Sequence, residues 1–319
     1  MNAGVFLVRT AAGQLAGLFP ARRKAFGLVA GYVHPYAPLG VPLVDRKDPA
    51  GVIHAWLSHL AGEASAVLLP LVPDGPFAEA LDGALGERHL QMARFGEYQR
   101  AALEPGDDRE HYLDCVTHTK GHKGLVRRRK RLAELGALSH RTVHDPDAMK
   151  GMVADFLALE NSGWKGRAGT AAQRDPKLAS FVEKVVIALA REHKAYGEVL
   201  SLNGTPIAST IIMRSADTAW AWKIAYDETY ARCSPGMQVA FEATRTLLAD
   251  RAIARADSCT PPGQGMIDHL WRERINVSDR LFALAPGRTL AFQFHRLREK
   301  TRRAVRSAAK SALHWLALR

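Results

Sequence analysis

Arg232-Cys-Ser-Pro-Gly-Met237 lies just after an apolar run that ends at Tyr226 and directly before an unbroken helical pattern reaching Asp250. Ser234 suits an N-cap and Pro235 a first helical residue. Such a helix start offers unpaired backbone N–H groups and the positive end of the peptide dipoles, so it suits a phosphate or pyrophosphate. Gly236 lets backbone come close to the anion, and Arg232 can add a charge-assisted hydrogen bond. A junction that simply turns a strand into a helix is the plain alternative. Cys233, inside this segment, has no His or Asp patterned beside it and reads as a small residue, not a nucleophile.

The elements that must hold this segment follow from periodicity. Glu198 to Leu202, Pro206 to Met213 and Thr218 to Ile224 alternate with period two and read as three antiparallel strands, the first two joined by the hairpin signal Asn203-Gly204. Beyond the helix come a short strand over Ile253 to Ser258, a Pro/Gly loop from Thr260 to Gly265, a helix near Ile267 to Arg274 and a strand near Arg280 to Ala285. Upstream, Asp145-Pro146-Asp147 opens a helix with Met152, Phe156 and Leu159 at helical spacing, ending near Glu160. A loop over 161–170 and a helix from Pro176 to His193 follow it. A basic helix spans about Arg109 to Leu135, closed by Gly136. The first third gives strands at Val5 to Val8, Phe26 to Val33 and Ala66 to Val72, with a helix around Gly51 to Ala64.

The chain has 319 residues, 47% hydrophobic and 24% charged, which excludes disorder and collagen-like repetition. Its net charge is +12, yet Lys120 to Arg131 and Arg296 to Arg319 each carry +7, so the rest is slightly acidic at −2. A protein that coats nucleic acid over most of its surface would spread that excess. Cys115, Cys233 and Cys259 are odd in number and lack metal-ligand spacing, which favours a reduced cytosolic setting without metal. The N-terminus lacks the pattern of a signal peptide, and no apolar run reaches membrane-spanning length.

Leu159-Glu-Asn-Ser-Gly-Trp-Lys-Gly-Arg-Ala-Gly-Thr170 and Trp222-Lys-Ile-Ala-Tyr-Asp-Glu-Thr-Tyr-Ala-Arg-Cys-Ser-Pro-Gly236 together resemble the CelD-like acetyltransferase family of the GNAT superfamily. The run Arg127-Arg-Arg-Lys-Arg-Leu-Ala-Glu-Leu-Gly136 is similar to that family's preceding helix. The resemblance covers roughly Lys120 to Ala285. It implies an α/β (α+β) fold, a mixed and largely antiparallel sheet flanked by helices, tandem with a degenerate first unit. The expected segments are 1–140 for that unit with the basic helix, 141–290 for the acyltransferase domain and 291–319 for a basic C-terminal helix. An acyl-CoA co-substrate would run along the strand at Trp222, Ile224 and Tyr226, with its pyrophosphate at Arg232, Ser234, Gly236 and Met237. The segment departs from the superfamily's usual spacing of glycines.

Transfer to an amine needs a base to take its proton. His269 in the strand-to-helix connection titrates in the right range; Asp268, Glu160, and Asp227 or Glu228 are carboxylate competitors. For His269 a packed or solvated helix-start histidine is the plain alternative, and for Glu160 a helix-end carboxylate. Trp164 and Lys165 would line the acceptor side if their loop folds over the site; otherwise it is a solvent loop.

The tail places Val305, Ala308, Ala309, Ala312, Leu313 and Leu316 at steps of three and four, beside Arg303, Arg306 and Lys310, with Trp315 near the end. This is an amphipathic basic helix of the kind that lies on an anionic membrane, or a docked terminal helix with solvated charges. The Arg127 to Arg131 run lacks the interleaved aromatics of single-strand binders. The sequence thus points to an acyl-CoA-dependent N-acyltransferase, cytoplasmic and peripheral on the inner membrane face, acting on an amine presented by a lipid (sphingoid-base or ceramide type) or a lipid-linked sugar. The alternatives are a Fem-like transferase using aminoacyl-tRNA and a non-catalytic basic adaptor.

Overall fold

A computed structural model describes residues 3–114, 120–261, 266–287 and 289–317, with side chains of 120–122 and 310–317 outside the description, as are Cys115 and the loop residues 262–265. Contacts divide it into two units, residues 1–98 with 276–319, and residues 99–275. These bounds differ from the three segments expected from sequence. The reason is that one long strand ends the first unit's early run and a late strand returns to it.

In the first unit β1 (Ala3–Arg9) and β2 (Leu15–Lys24) form an antiparallel pair, and β3 (Leu28–Gly31) and the short β4 (Leu43–Val44) both join β2. Helix α1 (Pro49–Ala61) leads to β5 (Ala66–Pro73), which pairs parallel with β3 over Leu28–Ala30 only. Helix α2 (Pro76–Glu87) and β6 (Met92–Leu103) follow. Strand β2, α2 and β6 have no counterpart in the sequence expectation. The apolar stripe of α1 at Val52, Ile53, Trp56, Leu57 and Leu60 is buried, and the Trp56 ring stacks on Phe19 with centroids 4.3 Å apart. Full burial of side chains of this size is worth about 1.5–3 kcal/mol each.

The second unit takes the end of β6, then α3 (Lys120–Glu134), β7 (Leu138–Val143), α4 (Pro146–Ser162), the single turn α5 (Trp164–Arg167) and α6 (Pro176–Arg191). Next come β8 (Ala195–Leu202), β9 (Thr205–Ser215), β10 (Thr218–Tyr226), α7 (Pro235–Ala249) and β11 (Arg255–Asp257). The strand order is β6-β11-β10-β9-β8-β7. All its pairings are antiparallel except β10 with β11. The Asn203-Gly204 hairpin is present, both residues at positive φ. Helix α4 starts at its Asp145 cap, whose side chain accepts from the N–H of Asp147 and Ala148, and lays Met149, Met152, Val153 and Phe156 against the sheet. Gly197 leaves room for Met152 there, since a Cβ would stand 1.9 Å from Met152 Cε and the end of that side chain would have to move.

Strand β12 (Glu273–Ala283) and α8 (Leu290–Ala317) complete the chain. The helix expected over Ile267 to Arg274 is one 3-10 turn, Met266–His269. Burial of Leu270 and Trp271, with Trp271 Nε1 donating to Thr244 Oγ1 at 3.0 Å, pulls the chain out of helix before Glu273. The basic helix is described from Lys120 onward; 104–113, where the sequence suggests helix from near Arg109, are loop and turns, with Arg109 donating to carbonyls of Leu248 and Asp250.

The two units repeat one motif: an antiparallel pair, a parallel neighbour, and a helix between the parallel strands. In the first it is β2, β3, α1, β5; in the second β9, β10, α7, β11.

Candidate functional site

The geometry of the second unit turns on how β10 and β11 part. They pair only over Thr218–Trp220 with Arg255–Asp257, while β10 continues to Tyr226 held on its other edge by β9. Beyond Trp220 no strand covers the open edge among the described residues. The register slips between Ala221 and Lys223, which makes a bulge at Trp222. Bulges raise local twist and re-aim side chains, and they recur beside active sites.

At the end of β10 the chain makes a 3-10 turn over Glu228–Cys233, capped by the Asp227 carboxylate accepting from Thr229 N, and enters α7. Ser234 occupies the N-cap position at φ 50°, in the left-handed region, and makes no side-chain cap bond, unlike the capping expected from its type. The first N–H groups of α7 are therefore not satisfied by their own cap. The cap of α1 in the first unit differs: Asp48 accepts from Gly51 N at 2.9 Å, placing a carboxylate over that helix start. An anion is thus repelled at α1 and suited at α7. Gly236 is buried, and a Cβ on it would come within 2.8 Å of Met266 and of Tyr226. Its small size serves close side-chain packing. Arg232 is exposed, Cys233 is buried in an apolar cluster, and Met237 is half-buried.

Helix α3 packs beside this turn, with Leu125 and Leu132 buried. Arg129 pairs with Glu242 of α7 at 2.9 Å, while Lys123, Arg127, Lys130 and Arg131 stay exposed. The basic run is thus one anchored arginine and an exposed cationic face near the start of α7.

Leu159, Glu160, Gly163, Trp164, Lys165, Ile224, Ala225, Tyr226 and Glu228 line one small cleft, so the structure brings Glu160, Trp164, Lys165, Ile224 and Tyr226 together. Glu160 is 4% exposed and accepts from Lys165 Nζ at 2.7 Å and from Ala172 N at 2.9 Å. Glu228 accepts from Trp164 N at 2.7 Å and from Arg167 at 2.5 Å. These bonds hold its carboxyl below the usual range, Arg167 contributing most. What the sequence gives as a loop is thus the turn α5, with Trp164 exposed at the cleft. Gly166 permits it, since a Cβ would stand 1.7 Å from Asn161 O.

His269 and Asp268 do not line the cleft. They sit on the 3-10 turn packed on α7, His269 exposed and Asp268 half-buried. Trp222 is buried at the bulge.

Sequence reasoning passed over Lys223. Burial, with the nearby Lys165 ammonium, brings its amine down to about 8, against the opposing pull of Glu160. A single charge inside Trp-Ala-Trp-Lys-Ile-Ala-Tyr was the available signal. Across the gap, Arg100 and Asp257 form a buried ion pair at 2.5 Å, and Asp257 also accepts from Cys259 N. Burial, reinforced by Asp257, raises the Cys259 thiol, which leaves it protonated at neutral pH. Among the described residues no cluster of His, Cys, Asp or Glu could hold a metal ion.

Residues 119–262 match the family model of the acetyltransferase (GNAT) domain. The fold is similar to the C-terminal domain of a putative lysylphosphatidylglycerol synthetase from Agrobacterium fabrum, at 12% identity and TM-score 0.57, covering 93% of this chain and 88% of that one. A conserved protein of unknown function from Bacteroides thetaiotaomicron aligns at 12% identity and TM-score 0.55, over 88% and 85% of the two chains. FemX aligns at 11% identity and TM-score 0.53, over 93% and 90%. A comparison with curated protein sequences finds no match. The fold is a GNAT-like mixed sheet flanked by helices.

Proposed function

We propose that this chain is an N-acyltransferase that moves an acyl group from acyl-CoA to a primary amine, within the CelD-like branch of the superfamily. The observation that carries this is the parting of β10 and β11 beside an α7 start that its own cap leaves open. The pantetheine would lie along the uncovered edge past Trp222 and Ile224 to Tyr226. The pyrophosphate would meet the first N–H groups of α7 near Ser234 and Gly236, with Arg232 and Met237 beside them. The acyl carbonyl would then face the cleft, where Trp164 and Lys165 border the acceptor. Backbone donors at the bulge would stabilise the oxyanion.

Acetyl-CoA titration by calorimetry tests this. Binding is expected, and Arg232→Ala should raise the acyl-CoA KM about 10-fold, since a hydrogen bond to a charged group is worth about 1.5–3 kcal/mol. Absence of binding by the unaltered chain would reject the acyl-CoA donor.

The exposed cationic face of α3 favours one second reading, a Fem-like transferase that takes its acyl group from aminoacyl-tRNA. Retention of tRNA, lost steeply as salt rises, would select it.

For the acceptor we infer an amine at an anionic membrane surface, a lipid or lipid-linked sugar, with the enzyme peripheral on the cytoplasmic face. No described helix is long and apolar enough to cross a membrane. Helix α8 buries Phe292 and His295, and ties Arg303 to Glu299 and Asp279. On its outer side Leu290, Phe294, Leu297 and Val305 are exposed among Arg296, Arg298, Lys300 and Arg306. That pattern supports a helix lying on anionic headgroups. Leu297→Glu with Val305→Glu should abolish co-flotation with phosphatidylglycerol vesicles while leaving the fold intact; unchanged flotation would remove the membrane from this reading.

A further inference from the structure

Phe26 is a bulky residue held where the backbone resists one. It lies in the β2–β3 connection, Ala25–Gly27, at φ 61° and ψ 33°, in the left-handed region, where a large side chain is an outlier. Gly27 beside it, at φ 70°, takes the same region without strain. The first unit imposes this conformation through backbone contacts. Ser65 Oγ stands 3.1 Å from Phe26 O and 3.2 Å from Gly27 O as their shared donor, Ser65 N donates to Gly27 O at 2.8 Å, and His295 Nε2 donates to Phe26 O at 2.9 Å. All of these hold main chain, and the ring they fix is left 69% exposed. Asn or Gly would make the same turn at lower cost. Strain kept for the sake of an exposed aromatic points to something outside the chain that the ring meets.

The ring is also continuous with the outer side of α8. It meets Phe294 edge to face, centroids 5.3 Å apart, and Phe294 lies between Leu290 and Leu297 at helical steps of four and three. Leu290, Phe294 and Leu297 are themselves exposed, so turn and helix present one apolar patch. Lys24 on the turn and Arg296, Arg298 and Lys300 on the helix are exposed as well. Negative charge near them is already answered: Glu63 pairs with Arg23, and Glu299, the sole acidic residue of α8, is buried against Arg302 and Arg303. An apolar patch with an uncompensated cationic surround complements acyl chains beneath anionic headgroups.

We propose that the β2–β3 turn is a membrane wedge, with Phe26 entering an anionic bilayer beside Phe294 while Lys24 and the α8 cations meet lipid phosphates. This rests on the membrane reading of α8 above and adds a second element to it. A single helix lying in a surface can roll about its own axis. A turn that inserts beside it removes that freedom, so the first unit meets the bilayer in one orientation.

Flotation of the full chain with vesicles of phosphatidylglycerol in phosphatidylcholine tests this, with melting of each variant followed in parallel. Phe26→Asn removes the ring but suits left-handed backbone, so Tm should rise or stay within about 2 °C of the unaltered chain. Its vesicle partition should nevertheless fall about 10-fold, the effect of losing one inserted aromatic side chain. Phe26→Trp should retain partition and add a blue shift of emission on vesicles. Lys24→Glu should lower partition at least about 5-fold at low salt, an effect that high salt removes. Partition unchanged by Phe26→Asn, while Leu297→Glu with Val305→Glu abolishes it, would overturn the wedge and leave the α8 reading standing. No flotation of the unaltered chain would reject both. A fall in Tm beyond about 5 °C in Phe26→Asn would make Phe26 a packing residue and overturn the proposal. A dimer in sedimentation that Phe26→Asn splits, with flotation unaltered, would give the patch to a second copy of the chain instead.

Discussion

Replacing Glu160 with alanine is expected to cost about 3–5 kcal/mol, the range for removing one partner of a buried ion pair. The carboxylate is almost wholly enclosed and answers two donors, Lys165 Nζ and Ala172 N. Its loss leaves the ammonium of Lys165 without its counter-charge and a backbone N–H unpaired in the interior. For a unit of this size each kcal/mol shifts Tm by about 2–4 °C, so a fall of about 6–20 °C should appear in calorimetry. Glu160→Gln, which keeps an acceptor for Ala172, should fall less. The cleft should suffer more than the fold, because the same carboxylate fixes the end of α4 against α5 and so sets where Trp164 stands. A Glu160→Ala chain with unaltered melting would show that this carboxylate anchors nothing.

The second large effect is expected at Asp257. Its side chain and that of Arg100 are 5% and 1% exposed. Asp257→Ala would leave a guanidinium buried without an opposing charge, again about 3–5 kcal/mol. The double variant Arg100→Met/Asp257→Leu removes both charges and should recover most of that loss, since well-packed apolar replacements of buried pairs are often neutral or better. Donor binding should separate the two roles of Asp257. It also accepts from Cys259 N and so shapes the chain as it leaves β11, on one wall of the gap. The double variant should therefore regain stability without regaining acetyl-CoA affinity. Equal melting of the single and double variants in urea would contradict this partition.

Much of the second unit was legible because local signals there agree with one another. Asn203-Gly204 demanded a tight hairpin, Asp145-Pro146 a capped helix start, and period-two alternation the strands they join. The unread parts depend on partners distant in sequence. Glu160 was recognisable as a carboxylate at a helix end, but nothing local reveals that Lys165 and Ala172 turn back onto it. Trp271 leaves the expected helix to be buried, its indole N–H donating to Thr244 on another helix, a partner distant in sequence. Strand β2 was missed since its run, Leu-Ala-Gly-Leu-Phe-Pro-Ala-Arg-Arg-Lys, breaks alternation with Gly17 and Pro20. The basic run of α3 showed its charge in sequence, but not that Arg129 is spent on Glu242. Lys223 is hard to single out in sequence because the periodicity of the apolar strand around it masks its one exception.

The Asp48 carboxylate over the start of α1 bears on how many donors one chain can hold. The same arrangement of strands and helix occurs twice, yet in the first copy a fixed negative charge occupies the position a phosphate would need. Beside it, the space where β3 and β5 separate is an apolar cavity of about 130 Å³ lined by Leu39, Trp56 and Leu69. An internal duplication that kept both anion sites would titrate with two equivalents of acyl-CoA. With Asp48 in place, the stoichiometry implied by the proposed reading is one, and the first copy is free to diverge as scaffold without competing for cofactor.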